Sequence, residues 1–227
     1  MENKYWHLRN HKLFKSLNND QINSLCIITG FKEAIKGELI FFESEDEPKI
    51  YLLKKGRIKI SDSNENGDEI IKDIIVQGEL FGEIAFESNS KDSTEYAKVL
   101  TPNVIICSFL VRDFKRIMAT HPDLALHFTT FIGLRLKRLQ NRYSNLFFKD
   151  VRIRLIDFFK ELIQADGKET EHGTLIPNYL THQDIAGLIC STRQTVNQLI
   201  HDFEKEGLMK YERKEMLFYP KFKKINN

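Results

Sequence analysis

The chain has 227 residues, 41% hydrophobic and 11% aromatic, which can fill one large or two small cores and excludes a largely disordered protein. Its net charge of +2 gives no global signature of a nucleic-acid-binding protein, so any affinity for DNA must come from basic groups placed locally. No apolar run approaches the roughly 20 residues that cross a bilayer, and the polar start lacks the apolar stretch of a signal peptide. We therefore expect a cytoplasmic protein with no membrane partner.

The three cysteines, Cys26, Cys107 and Cys190, are widely separated and show no C-x-x-C spacing. An odd number at such spacing suggests neither a disulfide framework nor a zinc site. We expect three small, half-buried side chains and no bound metal.

Short runs of β type dominate the first hundred residues. A short helix is predicted over residues 19–26, and Asn66-Gly67 suits a two-residue hairpin turn. The predicted strands are residues 38–42, 49–53, 57–61, 69–76, 97–100 and 104–109. Many short strands with regular turns indicate a small antiparallel roll, whose interior is a natural ligand pocket.

From residue 111 the apolar positions follow the helical period. A helix over residues 111–119 precedes a longer one that starts at Pro122, since proline is tolerated in a first turn, and runs to about Phe147. At about 39 Å, this helix is longer than a small roll can cover. Its apolar stripe is expected to pack partly on the roll and partly against a second copy of the chain; the alternative is packing within one chain. The stripe is Leu124, Phe128, Phe131, Ile132, Leu136, Leu139, Tyr143 and Leu146.

A cluster of basic residues accompanies this region. We expect most of these side chains to form the solvated faces of long helices. The cluster is Arg135, Lys137, Arg138, Arg142, Lys149, Arg152 and Arg154.

The C-terminal part has the pattern of a winged helix. Asp150 is a candidate N-cap for a helix over residues 151–165, and a polar surface loop is predicted over residues 166–173. Two short helices lie within residues 181–207, on either side of a polar corner at residues 190–192. Strands over residues 208–211 and 216–219 would form a two-stranded wing. The predicted core of the first helix is Ile153, Leu155, Ile156, Phe158, Phe159 and Leu162, and that of the helix pair is Ile185, Leu188, Ile189, Val196, Leu199 and Phe203.

This order of elements resembles the CRP/FNR family of bacterial transcription regulators over residues 13–219. GELFGEIAF, residues 78–86, is similar to the start of the phosphate-binding cassette of cyclic-nucleotide domains, and STRQTVNQLIHDFEKEGL, residues 191–208, is similar to the recognition helix and its exit. The resemblance implies an α+β fold with a cyclic-nucleotide-binding-like β-roll over residues 1–120. A long dimerisation helix and hinge would follow over residues 121–149, and a winged helix-turn-helix domain over residues 150–227.

The same resemblance implies a homodimeric regulator that binds double-stranded DNA at an inverted repeat and works with RNA polymerase. The rival interpretations are an enzyme with its active site in the roll and a module whose winged helix binds protein. Against an enzyme, no nucleophile with its base, no metal ligand set and no G-x-x-x-x-G-K motif occurs at a recognisable spacing.

The resemblance also places an effector pocket, and this sequence departs from it. Members that bind cyclic AMP have an arginine where Ser93 aligns, and adjacent hydroxyls where Leu139 and Gln140 align. Serine cannot neutralise a phosphodiester, and a substitute lysine at Lys91 lacks the bidentate fork of arginine. Cyclic AMP is therefore not the expected effector, which leaves another small molecule, no effector, or a non-standard nucleotide site. The pocket positions are Gly82, Glu83, Ile84, Ser93, Thr94, Leu139 and Gln140.

No cofactor is expected either. Iron-sulfur members need a cluster of cysteines near the N-terminus, where this chain has only Cys26. Haem would need an axial ligand, and isolated histidines are far more often surface or packed imidazoles. The candidates are His7, His11, His121 and His127.

DNA contacts follow from the resemblance at the helix pair. Arg193 can bind guanine bidentately, and the amides of Gln194 and Gln198 suit adenine. Ser191 and Gln194 are also spaced as a capping box, so Gln194 has an alternative role at the helix start. Cys190 stands where glycine is usual, and a left-handed backbone there would cost roughly 1 kcal/mol. The expected base contacts are Arg193, Gln194, Asn197 and Gln198, and the expected phosphate contacts are Thr181, His182, Gln183, Thr192 and Thr195.

Overall fold

The structure is a computed structural model that describes residues 8–9, 11–41, 47–63, 69–82, 84 and 95–225. It divides into two compact units, Met1–Leu139 and Gln140–Asn227. The predicted turn at Asn66-Gly67 and the pocket positions Glu83, Ser93 and Thr94 lie outside the described residues. Among the helices of the described ranges, none has the length and apolar character that a membrane span requires.

The N-terminal unit contains two four-stranded antiparallel sheets, as a roll requires. One sheet has the strand order β1-β8-β3-β6 and the other the order β2-β7-β4-β5. The short strands β1 and β6 were not predicted from the sequence. The strands are β1 (Gly30–Ala34), β2 (Leu39–Phe41), β3 (Lys49–Lys55), β4 (Ile58–Ser63), β5 (Glu69–Ile75), β6 (Leu80–Gly82), β7 (Tyr96–Val99) and β8 (Val104–Leu110).

Alternation along the strands builds two separate cores. On β3, Ile50 and Leu52 belong to a cluster with residues of the helices, whereas Tyr51 and Leu53 belong to a cluster with the second sheet. Successive side chains of a strand point to opposite faces, so the first sheet is apolar on both sides. The first sheet therefore lies between a helical layer and the second sheet.

The helices described in this region include α1 (Asn19–Ile28), α2 (Val111–Thr120) and α3 (Pro122–Phe148), the last of which continues into the C-terminal unit. The long helix runs one residue beyond its predicted end. Its first turns are anchored, because Leu124 and Phe128 are buried and the Phe128 ring lies 5.6 Å from that of Phe114 on α2. Further along, the predicted stripe is exposed, with Leu139 62% and Tyr143 63% accessible. One part of the stripe packs on the roll and another part has no cover within the described chain.

The C-terminal unit begins with α4 (Val151–Asp166), for which Asp150 is the N-cap, accepting a hydrogen bond from the Ile153 amide at 2.8 Å. Phe159 is fully buried, with its ring 5.2 Å from that of Phe218 and 6.2 Å from that of Phe222. Of the predicted α4 core, Leu155, Ile156 and Phe159 are buried, and Ile153, Phe158 and Leu162 are half-buried.

A four-stranded antiparallel sheet, in the order β11-β12-β10-β9, completes this unit. The wing strands β11 (Met209–Tyr211) and β12 (Glu215–Phe218) are paired as predicted. The loop predicted over residues 166–173 is wrong in part, because it contains β9 (Lys168–Thr170) and is followed by β10 (Gly173–Pro177). All three residues of β9 are exposed, so this edge strand carries no apolar alternation to reveal it. The remaining helices are α5 (His182–Leu188), α6 (Arg193–Lys205) and α7 (Pro220–Lys223).

The cysteines differ from the expectation of half-burial. Cys107 is fully buried on β8, whereas Cys190 is exposed at the corner between α5 and α6. The side chain of Cys26 lies outside what the structure describes. Position, rather than residue type, decides the burial of these small side chains.

Candidate nucleic-acid interface

Helix α5 starts with a reciprocal capping box. Thr181 Oγ1 accepts a hydrogen bond from the Asp184 amide at 3.1 Å, and Asp184 Oδ2 accepts one from the Thr181 amide at 2.9 Å. Two amides without helical partners are satisfied in this way. The fully buried Ile185 and Ala186 then face the interior of the domain, where a small residue permits close approach of the second helix.

The corner after α5 is a Schellman motif with cysteine in the left-handed position. The Ser191 amide donates to Ala186 O at 2.8 Å, the Cys190 amide donates to Gly187 O at 3.2 Å, and Cys190 has a φ of 52°. The left-handed backbone expected at Cys190 is therefore confirmed. This corner turns the chain sharply into α6.

The predicted capping box between Ser191 and Gln194 requires Ser191 as the N-cap of α6, but the helix begins one residue later. Its N-cap is Thr192, whose Oγ1 accepts a hydrogen bond from the Thr195 amide at 3.1 Å. The capping box between Ser191 and Gln194 is therefore wrong, since the Ser191 amide belongs to the preceding corner. Gln194 is exposed in the first turn of α6.

The four expected base contacts all lie on the exposed side of α6. Arg193, Gln194, Asn197 and Gln198 are exposed, whereas Val196, Ile200 and Phe203 are buried against the domain. The Gln198 amide nitrogen donates to Asp202 Oδ1 at 2.9 Å, which orients this side chain along the helix. A guanidinium and three amides on one helix side can reach the edges of bases in a major groove.

The expected phosphate contacts have different surroundings. Thr181, Gln183 and Thr192 are exposed at the helix starts, and Thr195 is half-buried with its hydroxyl 2.9 Å from that of Thr192. The threonine hydroxyls also serve as caps, so a phosphate would share them with the helix ends.

His182 is the exception, because its ring is half-buried beneath α6. The ring lies 4.7 Å from that of Tyr211 on β11, and its buried Nε2 makes no hydrogen bond within the described chain. Burial and the nearby Arg193 guanidinium lower the pKa of His182, while a hydrogen bond with Asn197 acts in the opposite direction. His182 thus links the wing to the start of α6.

The residues that support this interface were not predicted from the sequence. Tyr211 donates its hydroxyl to Leu180 O at 3.3 Å, and its amide donates to Glu204 Oε1 at 2.9 Å. Leu180 lies 31 residues before Tyr211 and Glu204 lies seven residues before it, and neither contact follows from the hydrophobic periodicity of the sequence.

The basic cluster forms specific pairs, which corrects the expectation of solvated helix faces. Lys149 pairs with Asp157 at 2.6 Å, and Arg152 donates to both carboxylate oxygens of Glu206 at 2.8 and 2.6 Å. Arg152 also lies over the Phe203 ring, 4.6 Å from its centroid. Acidic partners, one eight residues later and one 54 residues later in the chain, hold these side chains against the protein.

In the N-terminal unit, two arginines of α3 pair in the same way. Arg135 donates to Asp73 Oδ2 at 3.2 Å and to Leu80 O at 3.1 Å, and Arg138 donates to Glu79 Oε1 at 2.6 Å. These bonds hold α3 to the region around β6, where the predicted effector pocket begins.

The structure describes four of the expected pocket positions, two at or just after the end of β6 and two on α3. Gly82 ends β6 with a φ of 84°, and a Cβ there would lie 2.7 Å from Lys49 O, so the position requires glycine. Ile84 is half-buried and its amide donates to Gly82 O at 2.8 Å. Leu139 and Gln140 are both exposed on α3. Within the described residues, no group of three or more His, Cys, Asp or Glu side chains could hold a metal ion.

Comparisons with known proteins agree with this architecture. Residues 31–121 match the cyclic nucleotide-binding domain family, and residues 153–221 match the Crp-like helix-turn-helix domain family. The Global nitrogen regulator of Synechocystis sp. is 26% identical over 181 residues, covering 80% of each chain. The CRP-like cAMP-activated global transcriptional regulator of Mycobacterium tuberculosis is 27% identical over 184 residues, again covering 80% of each chain.

Solved structures share the fold at lower identity. A mutant of CooA from Carboxydothermus hydrogenoformans superposes with a TM-score of 0.69 at 22% identity, covering 88% of each chain. The c-di-GMP responsive global regulator CLP of Xanthomonas campestris gives a TM-score of 0.73 at 16% identity, covering 89% of this chain and 99% of its own. The relatives' names describe regulators of transcription, and the shared domains are a sensor-type roll and a DNA-binding helix-turn-helix.

Proposed function

Because this chain belongs to the CRP/FNR family of transcription regulators, which are DNA-binding proteins and not enzymes, we propose that it acts as a homodimer on an inverted-repeat operator. Each protomer would place α6 in a major groove, with the two helices about 34 Å apart. The observation that carries the proposal is the exposed polar side of α6, where Arg193, Gln194, Asn197 and Gln198 lie together.

Three of these side chains are assigned to particular bases. Arg193 binds O6 and N7 of a guanine, and the amides of Gln194 and Gln198 bind adenines. To do so, Gln198 exchanges its bond with Asp202 for a base, or keeps that bond and presents its oxygen. Thr181, Gln183 and Thr192 set the register through phosphates, without reading sequence.

The exposed part of the α3 stripe supports the dimer. Leu136, Leu139, Tyr143 and Phe147 are between 53% and 68% exposed on the described chain. A run of large apolar side chains along one helix is normally covered, and a second copy of the same helix covers it symmetrically.

Cyclic AMP is not the effector in this proposal. A relative is named for activation by cyclic AMP. This chain instead has Ser93 where such regulators carry an arginine, and Leu139 and Gln140 where they offer hydroxyls. Serine supplies no charge to a phosphodiester, so another small molecule, or none, acts at the roll.

The proposal includes neither haem nor an iron-sulfur cluster. Haem ligation by His11 is disfavoured because both of its ring nitrogens are engaged, Nε2 with Gly78 O at 2.9 Å and Nδ1 with the Leu13 amide at 3.1 Å. The chain has too few cysteines near its start for an iron-sulfur cluster. Signals from the roll would reach the DNA-binding domain through α3 and the hinge at residues 148–150. The regulator would act in the cytoplasm, together with RNA polymerase.

The experiment is selection of bound duplexes from a random pool by the purified chain, followed by competition binding. We expect an inverted repeat, and we expect Arg193→Ala to lower affinity for it by about 1–3 kcal/mol while leaving random-sequence binding almost unchanged. Gln183→Ala, at an expected phosphate contact, is the matched control and should weaken both kinds of binding equally.

Two outcomes would contradict the proposal. Phosphate contacts release counterions, so the affinity of a DNA-binding protein for random DNA falls steeply with added salt. An affinity that does not change with salt would favour the alternative of a protein-binding module. Tight binding of cyclic AMP in a titration, stronger than about micromolar, would contradict the effector assignment.

A further inference from the structure

One arginine in the first turn of α4 contacts three backbone carbonyls from two separate segments. Arg154 donates through Nη1 to Lys149 O at 2.7 Å, through Nε to Ile189 O at 3.0 Å and through Nη2 to Cys190 O at 3.2 Å. The first acceptor follows the end of α3, and the other two form the corner that leads into α6. All of these groups belong to the C-terminal unit.

The acceptors explain why an arginine is suited to this position. Carbonyls at the C-terminal end of a helix lack helical partners and carry the negative end of the helix dipole. A planar guanidinium offers donors in fixed directions, so one side chain can satisfy carbonyls at two helix ends simultaneously. Lysine has one rotatable nitrogen and cannot reproduce this fork.

The contact joins two parts of the chain that matter for DNA binding. The corner at Cys190 determines where α6 starts, since Thr192 caps that helix two residues later. Lys149 lies between α3, the proposed dimer helix, and α4. While the three bonds hold, the end of α3 and the corner before α6 move together.

We infer that Arg154 is a positioning residue that holds the recognition helix at a defined orientation to the end of the dimer helix, and so determines the half-site spacing that the dimer accepts. This inference rests on the proposed function, because spacing has meaning only for a dimer on an inverted repeat. Arg154 itself contacts no base in this scheme.

A neighbouring arginine provides a matched control. Arg152 lies in the same turn of α4 and binds Glu206 at the far end of α6, with its guanidinium over Phe203. It ties α4 to α6 but makes no described contact with the carbonyl of Lys149. Removal of Arg152 should therefore loosen the domain without freeing the corner from the end of α3.

The test measures binding of the full-length chain to its selected operator and to versions with one base pair added or removed between the half-sites. One base pair shifts a half-site by about 3.4 Å and rotates it by roughly 35°. We expect the unmodified protein to lose at least about tenfold in affinity for the altered spacings, and Arg154→Gln to lose less than about threefold. Arg152→Gln should keep the tenfold preference.

Arg154→Lys is measured alongside and replaces Arg154→Gln if the latter does not fold, as judged by circular dichroism. It keeps the charge but loses the fork, so it should also show the flattened preference. An equal loss of affinity on every spacing, with the tenfold preference kept, would overturn the positioning role and leave Arg154 a purely structural residue. If the unmodified protein has no spacing preference, the homodimer proposal fails instead, which is a separate result.

Discussion

Replacement of Leu139 by glutamate should separate the proposed dimer. Leu139 is 62% exposed on α3, and full burial of a leucine is worth about 1.5–3 kcal/mol, so covering the exposed part contributes about 1–2 kcal/mol. A twofold axis places this residue at the interface twice, which gives about 2–4 kcal/mol per dimer. Leu139→Glu should therefore raise the dimer dissociation constant by roughly 30- to 700-fold, and two unpaired carboxylates would add to this effect.

Sedimentation equilibrium over a range of protein concentrations measures this change directly. Asn141→Glu is the matched control, because Asn141 is also exposed on α3 but lies about 200° around the helix from Leu139. It introduces the same charge away from the apolar stripe and should leave dimerisation nearly unchanged. A monomeric unmodified protein, or equal effects of the two variants, would refute the reasoning.

Three further predictions concern the C-terminal domain. Burial and a neighbouring guanidinium lower the pKa of His182 from its usual value of about 6.5, so the unfolded chain binds more protons than the folded chain as the pH falls through that value. Stability in urea unfolding should therefore fall as the pH is lowered through about 6.5, and less so in His182→Gln. Phe159→Ala should cost about 3–5 kcal/mol in thermal unfolding, because the ring is fully buried, whereas Phe158→Ala at a half-buried position should cost clearly less. Thr192→Ala should cost about 1 kcal/mol through loss of the α6 cap, and Ser191→Ala almost nothing; the reverse order would place the cap at Ser191.

The elements with strong periodicity could be predicted from the sequence. The long helix from Pro122 and the two helices around Cys190 carry apolar residues at helical spacings, and both are present in the structure. The left-handed backbone at Cys190 was also predictable, because a corner of this kind demands that conformation whichever residue occupies it. The local sequence is therefore sufficient to predict structure where a single helix or a single turn determines it.

Features that depend on particular hydrogen bonds, rather than on periodicity, could not be predicted. Two adjacent residues, Ser191 and Thr192, both carry a capping oxygen, and the choice is made by the bond of the Ser191 amide to Ala186 O. Similarly, Arg152 and Arg154 belong to a run of basic residues that is typical of a solvated helix face, yet Arg152 binds Glu206 and Arg154 binds Ile189 O, 54 and 35 residues later in the chain. The hydrophobic periodicity of the sequence does not predict such pairings.

The residues that would read DNA and those that hold α6 in place are different sets. Arg193 and Gln194 are exposed and make none of the packing contacts of α6, whereas Val196 is buried and Arg154 holds the corner before the helix. Substitution on the exposed side should therefore change which bases are preferred with little effect on folding. Substitution of Arg154 should change the half-site spacing that the dimer accepts, while the base preference of each half-site is retained. Under these proposals, separate residues would set the operator sequence and the operator spacing, so that a signal could alter the orientation of α6 without altering the bases that α6 prefers.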